Sequence, residues 1–382
     1  MLSSQRELFD IPREVCFLNA ASWSPLPLAT VEAGRKAAAR KARPWLITPE
    51  FHTGEYERTR RAAAPIINAD PDDVALVSSV GYGISTAAKV LSPGAGSRVL
   101  VLQDDHSSPV LEWVSRAEAG RFSVETVRRP GNGDWTEAVL EAIARPGAAP
   151  VAVTSISSVH WSDGGVLDLA RIASALRARG AALVVDATQS AGALPFDVRA
   201  VDPDFVAFPT YKWLIGPYGR AFLYVAKRHQ GGIPLEQTAA GRRAVRAEQD
   251  VYFTDTSYVA SARRFDMGER DHFISMEMAS IGMELVAEWG PKAIAERLAM
   301  LTRRLAEGLL AAGMTLTPAA VRSPHILSVH FPNGFPAGLI ERLAAENIHV
   351  ARRLGRLRIS PHVYNDEVDI DRFIEAFRRL HR

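Results

Sequence analysis

A lysine follows an apolar run in the segment DFVAFPTYKWLIGPYG, residues 204–219. Lysine is seldom fully buried, because its ammonium group is costly to remove from water without a partner. Asp186 directly follows a second apolar run, ALVV, and the run DFVAFP separates it from Lys212. Lys212 is therefore either a surface lysine whose stem covers apolar groups, or an amine with a partner or a chemical use.

The elements that must position these residues alternate between short apolar runs and longer amphipathic ones. The apolar runs lie at 73–79, 98–103, 149–157, 181–187, 204–209 and 220–226. Apolar strands that alternate with helices are typical of a mainly parallel sheet covered on both faces, so the sequence predicts an α/β protein. Ligands of such sheets bind at the carboxyl ends of the strands. Asp186, Ser158, His106 and Lys212 are predicted to lie there.

The pattern changes near residue 229. Residues 229–250 are polar and contain glycines, which indicates a connection or a surface excursion, and long helices and short strands of a smaller sheet follow. We therefore predict a large α/β domain at 15–240, a small α+β domain at 241–382, and an N-terminal segment at 1–14 that packs on one of them.

Composition excludes several classes of function. The 382 residues are 47% hydrophobic and 23% charged, with a net charge of +2, so neither a nucleic acid nor a membrane partner is expected. A single cysteine, Cys16, excludes an intrachain disulfide and a multi-cysteine metal site. No signal-like pattern opens the sequence, and no apolar run approaches the roughly 20 residues that span a bilayer. The expected location is the cytoplasm, and the expected ligand is a small molecule.

Several motifs together resemble one enzyme family. FLNAASWSPLP (17–27), VDATQSAG (185–192), TYKWLIGPYG (210–219) and LRISPHVYNDEVDIDRF (357–373) occur in the order and at the spacing of that family. The sequence resembles the class V aminotransferases of fold-type I, which use pyridoxal phosphate (PLP) and include cysteine desulfurases and isopenicillin N epimerase. The resemblance covers almost the whole chain and implies the fold already predicted: a large domain with a mainly parallel mixed sheet, and a smaller α+β domain.

The resemblance implies a role for each residue near the lysine. Lys212 would form a Schiff base with the cofactor aldehyde and later move the proton at the substrate α-carbon. Asp186 would pair with the ring nitrogen, and Gln189 would donate to the phenolic oxygen. His106 stands where the family stacks an aromatic side chain on the ring.

The cofactor phosphate needs hydrogen-bond donors. The stretch SSVGYGIST (78–86) lies between a predicted strand and helix, so the backbone of Val80, Gly81 and Tyr82 can supply them. Relatives often carry Ser-x-His-Lys where this chain has Pro-Thr-Tyr-Lys, so the Tyr211 hydroxyl could replace the histidine. The segment RRFDMGERDHF (263–273) is similar to one that reaches the partner subunit's cofactor, which implies a homodimer.

Substrate recognition is expected at Arg358. The resemblance aligns it with the arginine that binds the substrate α-carboxylate, and a planar guanidinium suits a planar carboxylate. We interpret Arg356 as a strand-surface arginine. Ser158 stands where desulfurases have an asparagine near the substrate, which indicates a different substrate.

The reaction type is only partly constrained. Desulfurases place a nucleophilic cysteine shortly before the terminal arginine, and residues 319–358 contain none, so desulfuration is not expected. Transamination, epimerisation and β- or γ-elimination, including carbon–sulfur cleavage, begin with the same loss of the α-proton. We favour an aminotransferase-type reaction on a small amino acid or amine, with a lyase or an epimerase as the alternative.

Two hypotheses of other functional classes are also considered. A catalytically idle member of the fold would be expected to have lost Lys212, Asp186 or Arg358, and all three are present. A dinucleotide enzyme would need G-x-G-x-x-G after a strand, and the one similar stretch, SPGAGS (92–97), lies between a predicted helix and strand. No metal site is predicted.

Overall fold

The computed structural model describes residues 2–381. Its strands are β1 (Cys16–Phe17), β2 (Val74–Val77), β3 (Arg98–Leu102), β4 (Ser123–Val127), β5 (Val151–Ser157), β6 (Ala182–Asp186), β7 (Phe205–Pro209), β8 (Ala221–Val225), β9 (Arg242–Val245), β10 (Phe253–Tyr258), β11 (Leu327–His330), β12 (Ile348–His349), β13 (Ala351–Arg353) and β14 (Arg356–Ile359). Its helices are α1 (Leu28–Lys41), α2 (Pro49–Ala63), α3 (Val80–Leu91), α4 (Ser107–Gly120), α5 (Trp135–Ala144), α6 (Leu169–Arg177), α7 (Val198–Val201), α8 (Phe273–Trp289), α9 (Pro291–Ala311), α10 (Leu339–Ala345) and α11 (Glu367–Leu380).

The large sheet has seven strands in the order β2-β8-β7-β6-β5-β3-β4. Neighbours from β7 to β4 are parallel, whereas β8 is antiparallel to both β2 and β7. Strands β2, β3, β7 and β8 are buried along their whole length, as expected for a sheet covered on both faces. The predicted α/β class with a mainly parallel mixed sheet is confirmed.

Helices cover both faces of this sheet and create two apolar cores. On one face, Ile84 and Ala87 of α3 and Trp113 of α4 pack with alternate residues of the central strands. On the other face, Val139 of α5 and Ile172 of α6 belong to a larger cluster that continues into α9 and α11. The alternation of strand side chains between the two faces is what divides the core.

The C-terminal part carries a second, antiparallel sheet in the order β11-β14-β13. The N-terminal segment packs on this part of the chain: β1 pairs in parallel with β12, and Arg6 forms a 2.9 Å ion pair with Asp369. The domain boundary at 240/241 stays a prediction. Within residues 2–381, no helix is long and apolar enough to span a bilayer.

The structure also contains elements that the sequence pattern does not predict. Strand β4 is the edge of the large sheet, and β9 and β10 pair as an antiparallel hairpin that begins inside the polar segment 229–250. The carboxyl ends of β3, β5, β6 and β7 meet along one edge of the sheet. Strand order reverses between β3 and β5, which makes this edge the expected location of a ligand.

Candidate active site

A cavity of about 210 Å³ opens at the carboxyl ends of β6 and β7. Its wall combines one amine, one carboxylate, one imidazole, one guanidinium and several hydroxyl groups. The lining residues are Ser78, Ser79, Val80, Gly81, His106, Ser108, Asp186, Thr188, Pro209, Tyr211, Lys212, Tyr218, Gly219 and Arg220. The structure thus brings together six of the predicted site residues: Val80, Gly81, His106, Asp186, Tyr211 and Lys212.

Lys212 is held in the loop between β7 and β8. The Thr210 carbonyl accepts a 2.9 Å hydrogen bond from the Gly216 backbone, which folds the loop back on itself. The lysine is only 6% exposed. Burial, together with the charge of Arg358, lowers the pKa of Lys212 to about 7, although Asp186 opposes the shift. A share of the amine is therefore unprotonated near neutral pH, which a nucleophile or base requires.

Asp186 ends β6 as a buried carboxylate, 3% exposed. Its Oδ1 accepts a 2.9 Å hydrogen bond from the Thr188 backbone, and its Oδ2 has no hydrogen bond to any described residue. A buried carboxylate is costly unless it is paired. Oδ2 is therefore available to a protonated ring nitrogen.

His106 follows β3 and precedes α4. Asp105 fixes the turn: its Oδ1 accepts a 2.8 Å hydrogen bond from the His106 backbone and a 2.6 Å bond from the Ser157 hydroxyl. Burial lowers the pKa of His106, Asp186 raises it, and Lys212 lowers it again. The net direction is downward, so the ring is a neutral imidazole that can stack on another aromatic ring.

The N-terminus of α3 opens onto the same cavity. The Ser79 hydroxyl caps this helix by accepting a 3.0 Å hydrogen bond from the Tyr82 backbone. Val80 and Gly81 lie in its first turn and line the cavity. Free N–H groups and the positive end of the helix dipole favour an anion at this position.

Arg220 is a cavity residue that the sequence analysis missed. It is 3% exposed, and it donates to the Ser275 hydroxyl at 2.7 Å and to the His272 carbonyl at 3.2 Å. Its Nη1 has no partner among residues 2–381. Burial lowers the pKa of Arg220 to about 10, opposed by Asp271, so it remains a cation at neutral pH. Arg220 begins the apolar run RAFLYVA, but a charged residue at the start of a strand usually lies at the surface, so nothing in this run indicates its burial.

Tyr211 stands between the cavity and the protein surface. Its ring lies 4.6 Å from that of Tyr218 and 5.7 Å from that of Trp23. Burial, together with Tyr218 and Asp186, raises the pKa of Tyr211 to about 12. The hydroxyl therefore keeps its proton and can donate a hydrogen bond.

Besides Arg358, three predicted residues do not line the cavity. Tyr82 contributes its backbone N–H to the helix cap. The Gln189 side chain accepts a 2.8 Å hydrogen bond from the Trp213 indole, and the Ser158 hydroxyl lies 2.7 Å from that of Ser190. The roles assigned to these three residues remain predictions.

Arg358 lies on β14 and is 1% exposed. It donates to the Trp161 carbonyl at 2.8 Å and to the Ser22 hydroxyl at 2.6 Å. No carboxylate among the described residues forms an ion pair with it. Burial and the neighbouring Arg353 lower the pKa of Arg358 to about 9. A buried guanidinium without a counter-ion is suited to bind an anionic ligand.

These residues fit the cofactor that the sequence resemblance implies. Lys212 would supply an amine for the aldehyde, Asp186 a carboxylate for the ring nitrogen, and His106 a neutral ring for the face. Arg220 and the N-terminus of α3 would supply a cation and backbone donors for the phosphate. The free Oδ2 of Asp186 and the unpartnered Nη1 of Arg220 are the groups that such a ligand would satisfy.

Comparisons with known proteins identify the family of this chain. The chain is 30% identical over 380 residues to isopenicillin N epimerase of Streptomyces clavuligerus, covering 95% of this chain and 94% of that protein. It is 28% identical over 342 residues to the uncharacterised aminotransferase YcbU of Bacillus subtilis strain 168, covering 85% and 84% of the two chains. An apo cysteine desulfurase from Thermococcus onnurineus NA1 shares the fold with a TM-score of 0.84 at 20% identity, covering 100% of this chain and 99% of that one. The family described as "Aminotransferase class-V" matches residues 47–373, and this protein therefore belongs to that family of pyridoxal-phosphate enzymes.

Proposed function

We propose that the enzyme catalyses an aminotransferase-type reaction at the α-carbon of a small amino acid or amine, with Lys212 as the residue that carries PLP. The observation that carries this proposal is the buried Lys212 amine, whose pKa is about 7, beside the carboxylate of Asp186. An amine that is partly neutral at physiological pH can attack an aldehyde and can also act as a base.

Five residues of the cavity then have defined tasks. Asp186 Oδ2 would accept a hydrogen bond from the protonated ring nitrogen, and His106 would face the ring. Arg220, with the N–H groups of Val80 and Gly81, holds the phosphate. PLP, when bound, supplies the electron-withdrawing ring that makes a substrate α-proton acidic.

Substrate handling falls to two residues. Arg358 binds the α-carboxylate and so presents the Cα–H bond in a fixed direction. Lys212 would be the base that takes the α-proton and returns a proton. Its lowered pKa suits both steps, because a group with a pKa near the operating pH can accept and donate.

Product analysis tests the reaction type. The holoenzyme is incubated with a panel of L-amino acids, without and with added 2-oxo acids, and products are separated by chromatography. We expect 2-oxo acid release, conversion of the cofactor to its amine form, and restoration of the starting spectrum by a 2-oxo acid. Ammonia release without an amine form of the cofactor would contradict transamination.

An epimerase is the second candidate, and one observation favours it. The isopenicillin N epimerase of Streptomyces clavuligerus is 30% identical over nearly the whole chain. The same product analysis on a chiral column separates the two proposals. An enantiomer that accumulates without any 2-oxo acid would replace transamination by epimerisation, with Lys212 still acting at the α-carbon.

We also propose that the enzyme works as a cytoplasmic homodimer. The support for a dimer is an exposed apolar cluster at the tip of the β9–β10 hairpin, where Val251, Tyr252 and Phe253 are 62%, 48% and 64% exposed. Clusters of this kind mark interaction surfaces. The single cysteine, which is buried, suits a reducing compartment.

A further inference from the structure

Three arginines share one face of the small antiparallel sheet, and one of them, Arg358, donates to the carbonyl of Trp161, whose ring lies 6.0 Å from that of the cavity residue His106. Arg356 and Arg358 are two residues apart on β14, so their side chains leave the strand on the same side. Arg353 of β13 lies directly opposite Arg356 in the register. Arg352 points to the other side, where its guanidinium lies 4.7 Å from the centre of the Phe335 ring. One of these three arginines, Arg358, is the carboxylate-binding residue of the proposed function.

None of the three arginines has a carboxylate partner among residues 2–381. Arg353 and Arg358 instead share one acceptor, because both donate to the Ser22 hydroxyl oxygen, at 2.8 and 2.6 Å. The Ser22 hydroxyl donates a 2.8 Å hydrogen bond to Asn19 Oδ1. The Ser22 oxygen is thereby oriented as an acceptor for the two guanidinium groups. This oxygen brings two cations together without neutralising either.

The charge of this pair extends to the catalytic lysine. Burial lowers the pKa of Lys212 most, and the charges of Arg358 and Arg353 both lower it further. Burial, with the charge of Arg353, also lowers the pKa of Arg358. In addition, Arg358 Nε is buried without a hydrogen-bond partner. Unpaired charges cost folding free energy when they are removed from water, so their retention here points to an anionic ligand.

A neutral amino acid cannot balance this charge. Its single α-carboxylate is bound by Arg358 in the proposed function, and Arg353 and Arg356 would still lack an anion. Arg353 and Arg356 are both half-buried, and this burial lowers the pKa of each guanidinium group. A second acidic group on the substrate would pair with them.

We propose that Arg353, assisted by Arg356, binds an acidic side-chain group of the substrate, so that the preferred substrates are amino acids with a second carboxylate or a sulfinate. This inference rests on the proposed function, because it takes Arg358 as the site of the α-carboxylate. It makes Arg353 a specificity residue, distinct from the groups that bind the cofactor.

Matched acids and amides test the inference. The holoenzyme is assayed with aspartate against asparagine, glutamate against glutamine, and cysteine sulfinate, and kcat/KM is measured together with the spectral Kd for each. We expect the acid to exceed its amide by about 10-fold or more, as two charge-assisted hydrogen bonds allow. Arg353→Met should lower kcat/KM for aspartate by about 10- to 100-fold and change kcat/KM for asparagine by less than about 3-fold.

Three further variants keep the test decisive. Arg353→Lys should restore part of the preference, because it restores the charge without the planar fork. Arg352→Met, on the opposite face, should leave the acid-to-amide ratio unchanged. Arg358→Met should weaken acid and amide alike, since both carry the α-carboxylate.

The possible failures are distinguishable. If neutral amino acids react through Lys212 while acids show no preference, or if Arg353→Met weakens acid and amide equally, the inference is overturned and the proposed function stands. If no amino acid in the panel perturbs the cofactor spectrum and borohydride attaches no cofactor to Lys212, the proposed function fails and the inference fails with it.

Discussion

Lys212 and Arg220 are buried cationic residues at the two ends of the loop between β7 and β8. Only Lys212 could be predicted from the sequence as a site residue. Lys212 stood out because it follows an apolar run in a motif with a family resemblance. Arg220 precedes an apolar run in the same way, but a charged residue at a strand start usually lies at the surface. What buries it is the approach of Ser275 and His272 from a segment more than 50 residues later in the chain. Local sequence carries no signal for such an approach.

The titration of Lys212 gives a prediction for cofactor capture. Because the folded pKa is lowered to about 7, the neutral amine is lost as pH falls through that value. The rate at which PLP attaches covalently to the apoenzyme should therefore fall roughly tenfold per pH unit below about 6 and level off above about 8. Stopped-flow absorbance measures this rate, with Lys212→Ala as a control that attaches none. A midpoint near that of a free lysine would contradict the assigned environment.

The position of Arg220 leads to a prediction about binding of the cofactor phosphate. Arg220→Met should raise the Kd for PLP by about 10- to 100-fold, the usual cost of a charge-assisted hydrogen bond. The affinity for pyridoxal, which lacks the phosphate, should change little. Fluorescence titration of the apoenzyme measures the Kd for PLP and for pyridoxal. The same titrations of Tyr211→Phe test whether the Tyr211 hydroxyl donates to the phosphate. Equal losses for PLP and pyridoxal would show that Arg220 serves the fold and not the phosphate.

Helix α8 supports the lysine loop at the scale of elements. A Cβ atom on Gly282, in the middle of α8, would lie 2.5 Å from the Leu214 carbonyl oxygen and 3.0 Å from that of Ile215. The helix therefore packs directly on the backbone that follows Lys212. Glycine is required here by this close approach, although it is a poor helix former.

Two glycine substitutions in helices should therefore have opposite signs. Gly282→Ala should destabilise the protein by about 1–3 kcal/mol, because overpacking outweighs the gain in helix propensity. Gly54→Ala, in α2, meets nothing within 4 Å and should stabilise it by about 0.5–1 kcal/mol. Urea denaturation of the two variants and the wild type measures both changes. A neutral or stabilising Gly282→Ala would contradict the packing of α8 on the lysine loop.

Elements at the margin of the fold were the ones that the sequence could not predict. The buried strands that hold Asp186 and Lys212 read as continuous apolar runs. Strand β4 reads Ser-Val-Glu-Thr-Val and is largely exposed, since it is an edge strand with few apolar positions to mark it. Strand β9 lies in a polar segment, and β10 is mostly exposed, so neither has the alternating pattern of a half-buried strand.

At the scale of the whole molecule, the sequence predicted that the N-terminal segment packs on one of the two parts but not on which. The structure places it on the C-terminal part, where Arg13 forms two hydrogen bonds of 2.8 and 2.9 Å with Asp366. Contacts over such sequence separations depend on the completed fold. Ser22, also near the start of the chain, accepts a hydrogen bond from Arg358 of the small sheet.

The proposed homodimer is tested at this scale. Light scattering should give twice the chain mass of 41.6 kDa at micromolar concentration. Phe253→Glu, at the hairpin tip, should shift the equilibrium toward the monomer, because it places a charge in an apolar contact. Val368→Glu changes an equally exposed residue on α11 and should leave the mass unchanged. A wild-type monomer, or equal behaviour of the two variants, would contradict the hairpin interface.

The most direct test of the central claim is borohydride reduction of the PLP-loaded enzyme followed by peptide mass mapping. The reduction fixes the cofactor on whichever amine holds it, so the modified residue is identified without knowledge of the substrate. We predict that the modification maps to Lys212 and that Lys212→Ala carries none. Modification of a different lysine, or no modification of a protein saturated with PLP, would contradict the assignment of Lys212 as the cofactor-bearing residue.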